Sequence, residues 1–294
     1  MQRRKFLKDS GKIAIGIGVF GAISWENNHF VGDTPTTSDI LGPFYRPNAP
    51  LRTNINPPGY SGKLFHLSGT IFKEDGKTPF RTAVVEIWQC DSDKVYDNTS
   101  DDYRYRGTQK VDEKGRYHFT TCHPVPYAAD SKGERYRPAH IHMRISGDGQ
   151  QDLVTQVYFK DDPYLEKDRY AGSPKAVNRI LPIQINRKGE ELVRFDIVMA
   201  KEFKPSDAVF EKICGIYQMS DNSKIEYQRA GDSLFVKFGE QIGVVTFYKG
   251  NNEFEDADGY VDRFELQADG SVNVYGFQKD KKEPVVTGVK AFKP

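Results

Sequence analysis

Two histidines stand one residue apart in the segment RPAHIHMRIS, at His140 and His142, in a chain with only six histidines. On a β-strand, side chains two residues apart leave the same face, so the two imidazoles are expected to lie side by side. That arrangement suits two ligands of one metal ion. It also suits the polar, solvent-facing edge of a strand, and the spacing alone leaves both interpretations open.

The residues around this pair narrow the choice of metal. Two histidines with an acidic third ligand would suit a ferrous site, but no H-x-D or H-x-E motif occurs, and no cysteine spacing suits zinc. Tyrosine recurs instead. Tyr96 closes CDSDKVY and Tyr127 closes HPVPY, each on a turn that leaves a predicted strand. A phenolate is a hard anionic ligand that suits ferric iron, although tyrosine is common in this chain. His118 and His123 are interpreted as structural.

The elements that must position these residues are predicted to be strands. Strand-like runs include LFHLSGTIF, AVVEIWQC, HIHMRIS, LVTQVYF and LVRFDIVM, a hairpin is predicted with its turn near Lys114-Gly115, and one short helix is predicted around 173–179. These patterns predict an all-β chain with an antiparallel β-sandwich over residues 25–200. A linker over 201–207 and a smaller all-β domain over 208–294, barrel- or sandwich-like, complete the predicted organisation.

The predicted C-terminal domain contains no histidine and a single cysteine, Cys214. The chemistry is therefore expected in the first domain. The segment DADGYVD, residues 256–262, is similar to a calcium loop but lacks the full ligand set. Accessory binding, dimerisation and simple stabilisation remain open as roles for this domain.

The net charge bears on whether the protein binds nucleic acid, and the N-terminal sequence bears on where the protein is located. Lys plus Arg total 42 and Asp plus Glu total 41, which predicts no attraction to nucleic acid. Arg3-Arg4 with the following Phe-Leu-Lys is typical of a twin-arginine export signal, here assigned to residues 1–24. The apolar run over 13–23 is shorter than the ~20 residues that span a membrane, so no stable insertion is expected after processing. The protein is therefore expected in the periplasm or outside the cell, where Cys90 and Cys122 are candidates for a disulfide or for buried free thiols.

Three ordered segments carry a resemblance to a known family: VEIWQCDSDKVY, RGTQKVDEKGRYHFTTCHPVPY and RPAHIHMRISG. Together they resemble the intradiol ring-cleavage dioxygenases, which include catechol 1,2-dioxygenase and protocatechuate 3,4-dioxygenase, over roughly residues 36–200. The resemblance implies a non-haem Fe(III) ion held by two tyrosinates and two histidines. Residue by residue, these ligands fall on Tyr96, Tyr127, His140 and His142.

The resemblance also implies a reaction and further site residues. A catechol-type diol would be cleaved by dioxygen to a cis,cis-muconate-type diacid, as in the catabolism of aromatic compounds. Tyr127 would leave the metal and take up a proton, and Arg137 would stabilise charge that develops on the substrate. Gln156 falls where the family has a pocket glutamine, and Tyr45 in GPFY is expected at the pocket mouth.

Two departures from the family pattern leave the substrate open. Lys94 stands where the family usually has glycine, and 128–129 is Ala-Ala where protocatechuate enzymes carry Pro-Trp. Two alternatives stay open: a metal-free, transthyretin-like binding module, and a ferric dioxygenase that acts on catechol groups of a polymer or oligomer. The expected partners are a catecholic small molecule and dioxygen, and assembly as a homo-oligomer is also open.

Overall fold

The computed structural model describes residues 13–18, 21–26, 29–201, 205–279 and 281–291, with side chains from residue 35 onward. The predicted Arg3-Arg4 export motif lies outside the described residues. Three strands precede the main fold and form one antiparallel sheet: β1 (Ile13–Gly18), β2 (Gly21–Glu26) and β3 (His29–Thr34). Within the described ranges, no helix has both the length and the apolar character needed to cross a membrane.

Two five-stranded sheets form the sandwich. The first contains, in spatial order, Ile180–Leu181 (β12), Leu153–Phe159 (β11), His140–Ser146 (β10), Val84–Trp88 (β5) and Arg106–Lys110 (β6). The second contains Gln184–Ile185 (β13), Glu191–Arg194 (β14), Phe65–Phe72 (β4) and Ile197–Val198 (β15), and Arg116–Thr121 (β7) also pairs with β4. Tyr127–Ala128 (β8) and Tyr136–Arg137 (β9) form a separate ribbon, and a 3-10 helix spans Pro174–Arg179.

The all-β fold class is confirmed, but one predicted hairpin is wrong. The turn forms as expected, since Gly115 has φ +72° and its N–H donates to the Asp112 carbonyl at 2.8 Å. However, β6 pairs with β5 and β7 pairs with β4, so the chain crosses from one sheet to the other at this turn. A turn sequence fixes where the chain reverses, whereas the strand's partner depends on the core that its side chains join.

The strand β10 has two different buried faces. Ile141, Met143 and Ile145 are fully buried in the core between the two sheets. His140 and His142 leave the opposite face, as the two-residue period of a strand requires, and each is only 1% exposed. The solvent-facing interpretation of this histidine pair is therefore wrong, because the outer face of the sheet is covered by other parts of the chain.

The C-terminal region is a closed, eight-stranded barrel in which each strand pairs with its neighbours in sequence and the last pairs with the first. Its strands are β16 (Gly215–Met219), β17 (Lys224–Ala230), β18 (Ser233–Phe238), β19 (Gln241–Gly250), β20 (Glu253–Glu255), β21 (Val261–Leu266), β22 (Val272–Phe277) and β23 (Val286–Lys290). A helix, α1 (Asp207–Ile213), precedes it and starts at the last residue of the predicted linker. The predicted domain boundaries stay predictions. Cys90 and Cys122 are buried and free.

The barrel packs on the outer face of the first sheet. One apolar cluster contains sandwich residues such as Tyr45 and Val154 together with the barrel residue Phe235. The Tyr45 and Phe235 ring centroids lie 5.3 Å apart, and the guanidinium carbon of Arg144 lies 5.4 Å from the Phe235 ring. Arg144 follows His140 and His142 on the same face of β10, so the barrel covers the continuation of the histidine face.

Replacing Phe235 by alanine is expected to lower the free energy of unfolding by about 3 kcal/mol, because it opens a cavity in the cluster shared by sandwich and barrel. Phe238→Ala is the matched control: Phe238 lies on the same strand but is 50% exposed, so the expected change is within about 0.5 kcal/mol. Denaturant unfolding of the three proteins gives the comparison. Equal stability of the two variants would show that the shared cluster does not stabilise the molecule.

Candidate metal centre and active site

Four side chains of the predicted ligand set converge at one point. The Nε2 atom of His140 lies 3.2 Å from Nε2 of His142, 3.3 Å from the Tyr96 hydroxyl and 3.5 Å from the Tyr127 hydroxyl. The ring centroids of Tyr96 and Tyr127 are 5.8 Å apart. Two oxygen and two nitrogen donors, from residues that span Tyr96 to His142 in the chain, therefore face one small volume.

Cross-strand neighbours on the first sheet hold the two histidines. In the register of the sheet, His142 lies between Trp88 on β5 and Gln156 on β11, and His140 lies opposite Tyr158. The Trp88 ring stacks on the His142 ring at 4.9 Å and 10°, which fixes the imidazole plane. Gly42 closes the other side: a Cβ there would lie 2.9 Å from His142 Cε1, and its φ of +77° also favours glycine.

Tyr96 is presented by the loop after β5. The neighbouring Asp97 anchors this loop, since its carboxylate accepts hydrogen bonds from Ser100 N and Arg104 N, and its carbonyl accepts one from Arg106 Nε at 2.7 Å. Lys94, the residue that departs from the family's glycine, has φ +68°. Glycine adopts this left-handed conformation without strain, which gives the family preference a physical reason, and here lysine tolerates it.

Tyr127 is presented by the two-stranded ribbon of β8 and β9, in which it lies directly opposite Arg137. The ribbon therefore sets the distance between a candidate ligand and the candidate catalytic cation. Tyr127 is less buried than Tyr96, which is 7% exposed and stacks on Phe44 with ring centroids 4.5 Å apart.

The imidazoles are held in the neutral form that a metal ligand needs. Burial, together with the charge of Arg137, lowers the pKa of His140 well below its usual range, and burial followed by the influence of His140 does the same to the pKa of His142. The Nδ1 atom of His140 lies 2.6 Å from the Pro138 carbonyl, so Nδ1 carries the proton and donates it. The Nε2 lone pair of His140 therefore points at the other three donors.

The two phenols are neutral without a cation. Burial raises the pKa of Tyr96 well above its usual range, and the nearby Tyr127 adds to the effect. Burial also raises the pKa of Tyr127, although the positive charge of Arg137 opposes the increase. Ionisation of these hydroxyls at neutral pH therefore requires a strongly charged cation at the convergence point.

Arg137 is a buried cation held by three polar partners. Its Nε lies 2.8 Å from Asp168 Oδ2, and its Nη2 donates to Gln156 Oε1 at 2.7 Å and to the Tyr158 hydroxyl at 3.1 Å. Burial opposes its charge, but Tyr158 and Asp168 outweigh burial, and the pKa of Arg137 is raised. Its Nη1 makes no hydrogen bond within the described part of the chain, so this nitrogen remains available to a ligand.

Other predicted residues lie outside this group. Tyr45 is separated from His142 by Trp88, on which its ring packs at 5.0 Å, and its hydroxyl donates to Glu86 Oε2 at 3.1 Å on the barrel side. His118 stacks on His66 on the second sheet, and His123 pairs with Glu191. Sequence reasoning missed the supporting residues, namely Gly42, Phe44, Trp88, Arg106, Tyr158, Asp168 and Tyr170. The only local signals were the Gly-Pro turn at 42–43 and the Trp in VEIWQC.

The donor set fits a hard, highly charged metal ion. No cluster of three His, Cys, Asp or Glu side chains capable of holding a metal occurs in the described ranges, so a centre here depends on the two tyrosines. Phenolate oxygens with neutral imidazoles suit Fe(III) better than zinc or calcium. His142 Nδ1 is buried and has no hydrogen-bond partner among the described residues, which leaves the orientation of this ring to Trp88 and to the occupant of the site.

Comparison with known proteins gives a consistent result. A family model described as Dioxygenase matches residues 40–201, a little over half of the chain. An intradiol ring-cleavage dioxygenase, prcA, from Aspergillus niger is 31% identical over 58% of this chain and 60% of its own length. Chlorocatechol 1,2-dioxygenase from Rhodococcus opacus is 33% identical over 56% of this chain and 72% of its own length. The chain spans 60% of the length of the first of these relatives and 72% of the second, and about half the length of a catechol 1,2-dioxygenase from Candida albicans.

Solved structures agree with the sequence relatives. The crystal structure of 3-chlorocatechol 1,2-dioxygenase from Rhodococcus opacus 1CP superposes with a TM-score of 0.51 and 25% identity, over 56% of this chain and 73% of that one. The structure of catechol 1,2-dioxygenase from Acinetobacter sp. ADP1 superposes with a TM-score of 0.51 and 26% identity. The match covers 57% of this chain and 63% of that one. These matches cover a little over half of this chain, about the share that the family model also matches.

Asp168→Asn is expected to destabilise the protein by about 3 kcal/mol, because it leaves the buried Arg137 charge without its carboxylate. Asp161→Asn, on the same loop, is the control. Asp161 is exposed and has φ +71°, which asparagine accepts, so a change within about 0.5 kcal/mol is expected. Chemical denaturation measures both. If Asp168→Asn unfolds like the control, the ion pair does not hold Arg137 in place.

Proposed function

Because this chain belongs to the intradiol ring-cleavage dioxygenase family, we propose that it cleaves a catechol-type aromatic diol with dioxygen to a cis,cis-muconate-type diacid. Fe(III) would be held by Tyr96, Tyr127, His140 and His142. The observation that carries the proposal is that the other three donors all lie within 3.5 Å of His140 Nε2. A metal-free binding module would have no use for two buried phenols beside two neutral imidazoles.

Ferric iron would supply Lewis-acid chemistry that makes a bound catecholate ring reactive toward dioxygen. The protein supplies the environment for that chemistry. Its neutral imidazoles offer lone pairs without adding charge, and its buried walls keep water away from the donors. The two phenols must lose their protons when the metal binds, so loading the site is expected to release protons and to weaken at low pH.

Tyr127 is the proposed proton acceptor when substrate binds. A catechol arrives with two hydroxyl protons. One would move to the phenolate oxygen of Tyr127, which becomes a neutral phenol, and the other would be released to solvent. Two observations favour Tyr127 over Tyr96 for this role. Tyr127 is the more exposed of the two, and it stands on a short two-stranded ribbon.

Arg137 is the proposed electrostatic catalyst. Its Nη2 donates to Gln156 and Tyr158, and its Nε forms an ion pair with Asp168 without hydrogen-bond geometry, so these contacts hold one edge of the guanidinium while Nη1 is left for the substrate. A fixed cation beside the ring would stabilise negative charge as it develops there, without reorganisation at the moment of reaction. Gln156 supports Arg137 through its Oε1, and its own amide nitrogen donates to the Ile40 carbonyl at 2.8 Å.

We also propose that the protein is exported by the twin-arginine route, on the strength of Arg3-Arg4 and the apolar run that follows. That route carries folded proteins, so the metal would be acquired before export. A catechol-cleaving enzyme outside the cytoplasm would meet soluble aromatic compounds before uptake. A panel of catechol, protocatechuate, hydroxyquinol and catechol-bearing oligomers, assayed by oxygen consumption and product analysis, tests both the reaction and the substrate.

Tyr96→Phe is expected to lose most of the bound iron and most of the visible tyrosinate-to-iron absorption, because a phenyl ring has no donor atom. Metal analysis and the visible spectrum of purified protein measure both. Tyr136→Phe is the control, since Tyr136 lies on β9 next to Arg137 but stacks on Tyr164, away from the donors. Wild-type colour and iron in Tyr96→Phe would remove Tyr96 from the ligand set.

Arg137→Leu is expected to lower kcat by a factor of about 10² to 10³. The iron content, the colour and the spectral shift caused by added catechol should persist. Arg137→Lys should recover part of the loss and keeps a positive charge near Asp168, so it also serves if the leucine variant folds poorly. Arg135→Leu, a 78% exposed neighbour, should turn over normally. Near-normal turnover of Arg137→Leu would reduce Arg137 to a structural ion-pair partner.

A further inference from the structure

Tyr170 lies between Arg137 and the C-terminal barrel. The guanidinium carbon of Arg137 is 5.0 Å from the centroid of the Tyr170 ring, so the cation faces the aromatic surface. The Tyr170 hydroxyl donates to Asp258 Oδ2 at 3.3 Å. Asp258 belongs to the barrel and lies 88 residues further along the chain. A residue outside the family's matched segment is thus two contacts away from the proposed catalytic cation.

The barrel presents Asp258 on a tight turn between β20 and β21. The carboxylate of Asp256 accepts the backbone N–H groups of Asp258 and Tyr260, both at 2.9 Å, and Gly259 has φ +84°. This is the segment whose sequence is similar to a calcium loop. The Asp256 carboxylate is used inside the turn, whereas the Asp258 carboxylate points to the sandwich. It contacts two consecutive residues there: Oδ2 accepts from the Tyr170 hydroxyl, and Oδ1 pairs with Arg169 Nη2 at 3.1 Å.

The loop on the sandwich side links this anchor to Arg137 by a second path. Asp168 Oδ1 accepts the N–H groups of Tyr170 at 3.0 Å and of Ala171 at 2.7 Å, while Asp168 Oδ2 pairs with Arg137. The same short loop therefore holds the guanidinium at its edge, through Asp168, and at its face, through Tyr170. Among the described residues, the Tyr170 hydroxyl has Asp258 as its only hydrogen-bond partner.

We propose that the barrel is a working part of the active site, in which Asp258 anchors Tyr170 and thereby sets the orientation of the Arg137 guanidinium. Asp258 and Tyr170 are positioning residues, because neither would touch the substrate. This inference rests on the proposed function, since it assigns Arg137 a role in ring cleavage. The edge contacts with Asp168 and Gln156 fix the nitrogen directions, and the anchored ring limits tilting of the guanidinium out of its plane.

Steady-state kinetics of the iron-loaded full chain test the proposal. Asp258→Ala and Tyr170→Phe are each expected to lower kcat by about three- to tenfold, with KM, iron content and the catechol-induced spectral shift unchanged. The double variant should match either single variant, because both break the same contact. Asp269→Ala is the matched control: Asp269 accepts hydrogen bonds from Ser271 in another barrel turn, faces solvent, and should leave kcat unchanged.

Hydrogen exchange gives a readout that does not depend on activity. In Asp258→Ala, the backbone amides of 168–172 are expected to exchange faster than in the wild type, with the strands of the sandwich unchanged. Unchanged exchange in this loop, an unchanged kcat, or losses that multiply in the double variant would overturn the proposal. If the wild-type chain cleaves no catechol, the proposed function fails, and the exchange experiment still decides whether Asp258 anchors the Tyr170 loop.

Discussion

The two-residue period of β10 is the constraint on which the rest of this molecule depends. One set of alternating side chains, Ile141, Met143 and Ile145, fills the core between the sheets. The other set, His140, His142 and Arg144, must then leave the outer face of the same sheet. A face that carries neutral imidazoles and a charged guanidinium cannot be left to water if it is to hold a metal through phenolates. The loops, the β8–β9 ribbon and the barrel all serve to cover it.

Covering this face buries two positively charged arginines, and each of them pairs with at least one carboxylate. Arg137 pairs with Asp168, and Arg144 pairs with Glu86 at 3.0 Å and with Asp152 at 2.8 Å. An unpaired buried charge costs several kcal/mol, more than a single surface ion pair returns, so these carboxylates offset the cost of burying the arginines. Because these ion pairs exist in the free protein, the positive charge of Arg137 is held in place before any substrate arrives.

The features that the sequence predicted correctly are those that depend on local pattern. The i, i+2 spacing of His140 and His142 on a strand, and tyrosines on turns that leave strands, indicated side chains that the fold brings to one point. The crossing of the chain between β6 and β7 was missed, because a turn does not specify a partner sheet. The roles of Asp168, Tyr158 and Tyr170 were also missed, since no local pattern marks a residue whose importance comes from a distant contact. The packing of the barrel on β10 depends on tertiary contacts such as Phe235 with Tyr45.

The central claim is that one ferric ion binds where Tyr96, Tyr127, His140 and His142 converge. The most direct measurement is an anomalous difference map, from crystals of the iron-loaded protein, with data collected on both sides of the iron absorption edge. The account predicts a single strong peak within bonding distance of both tyrosine hydroxyl oxygens and both histidine Nε2 atoms. No peak at this point, or a peak elsewhere such as beside His66 and His118, would contradict it.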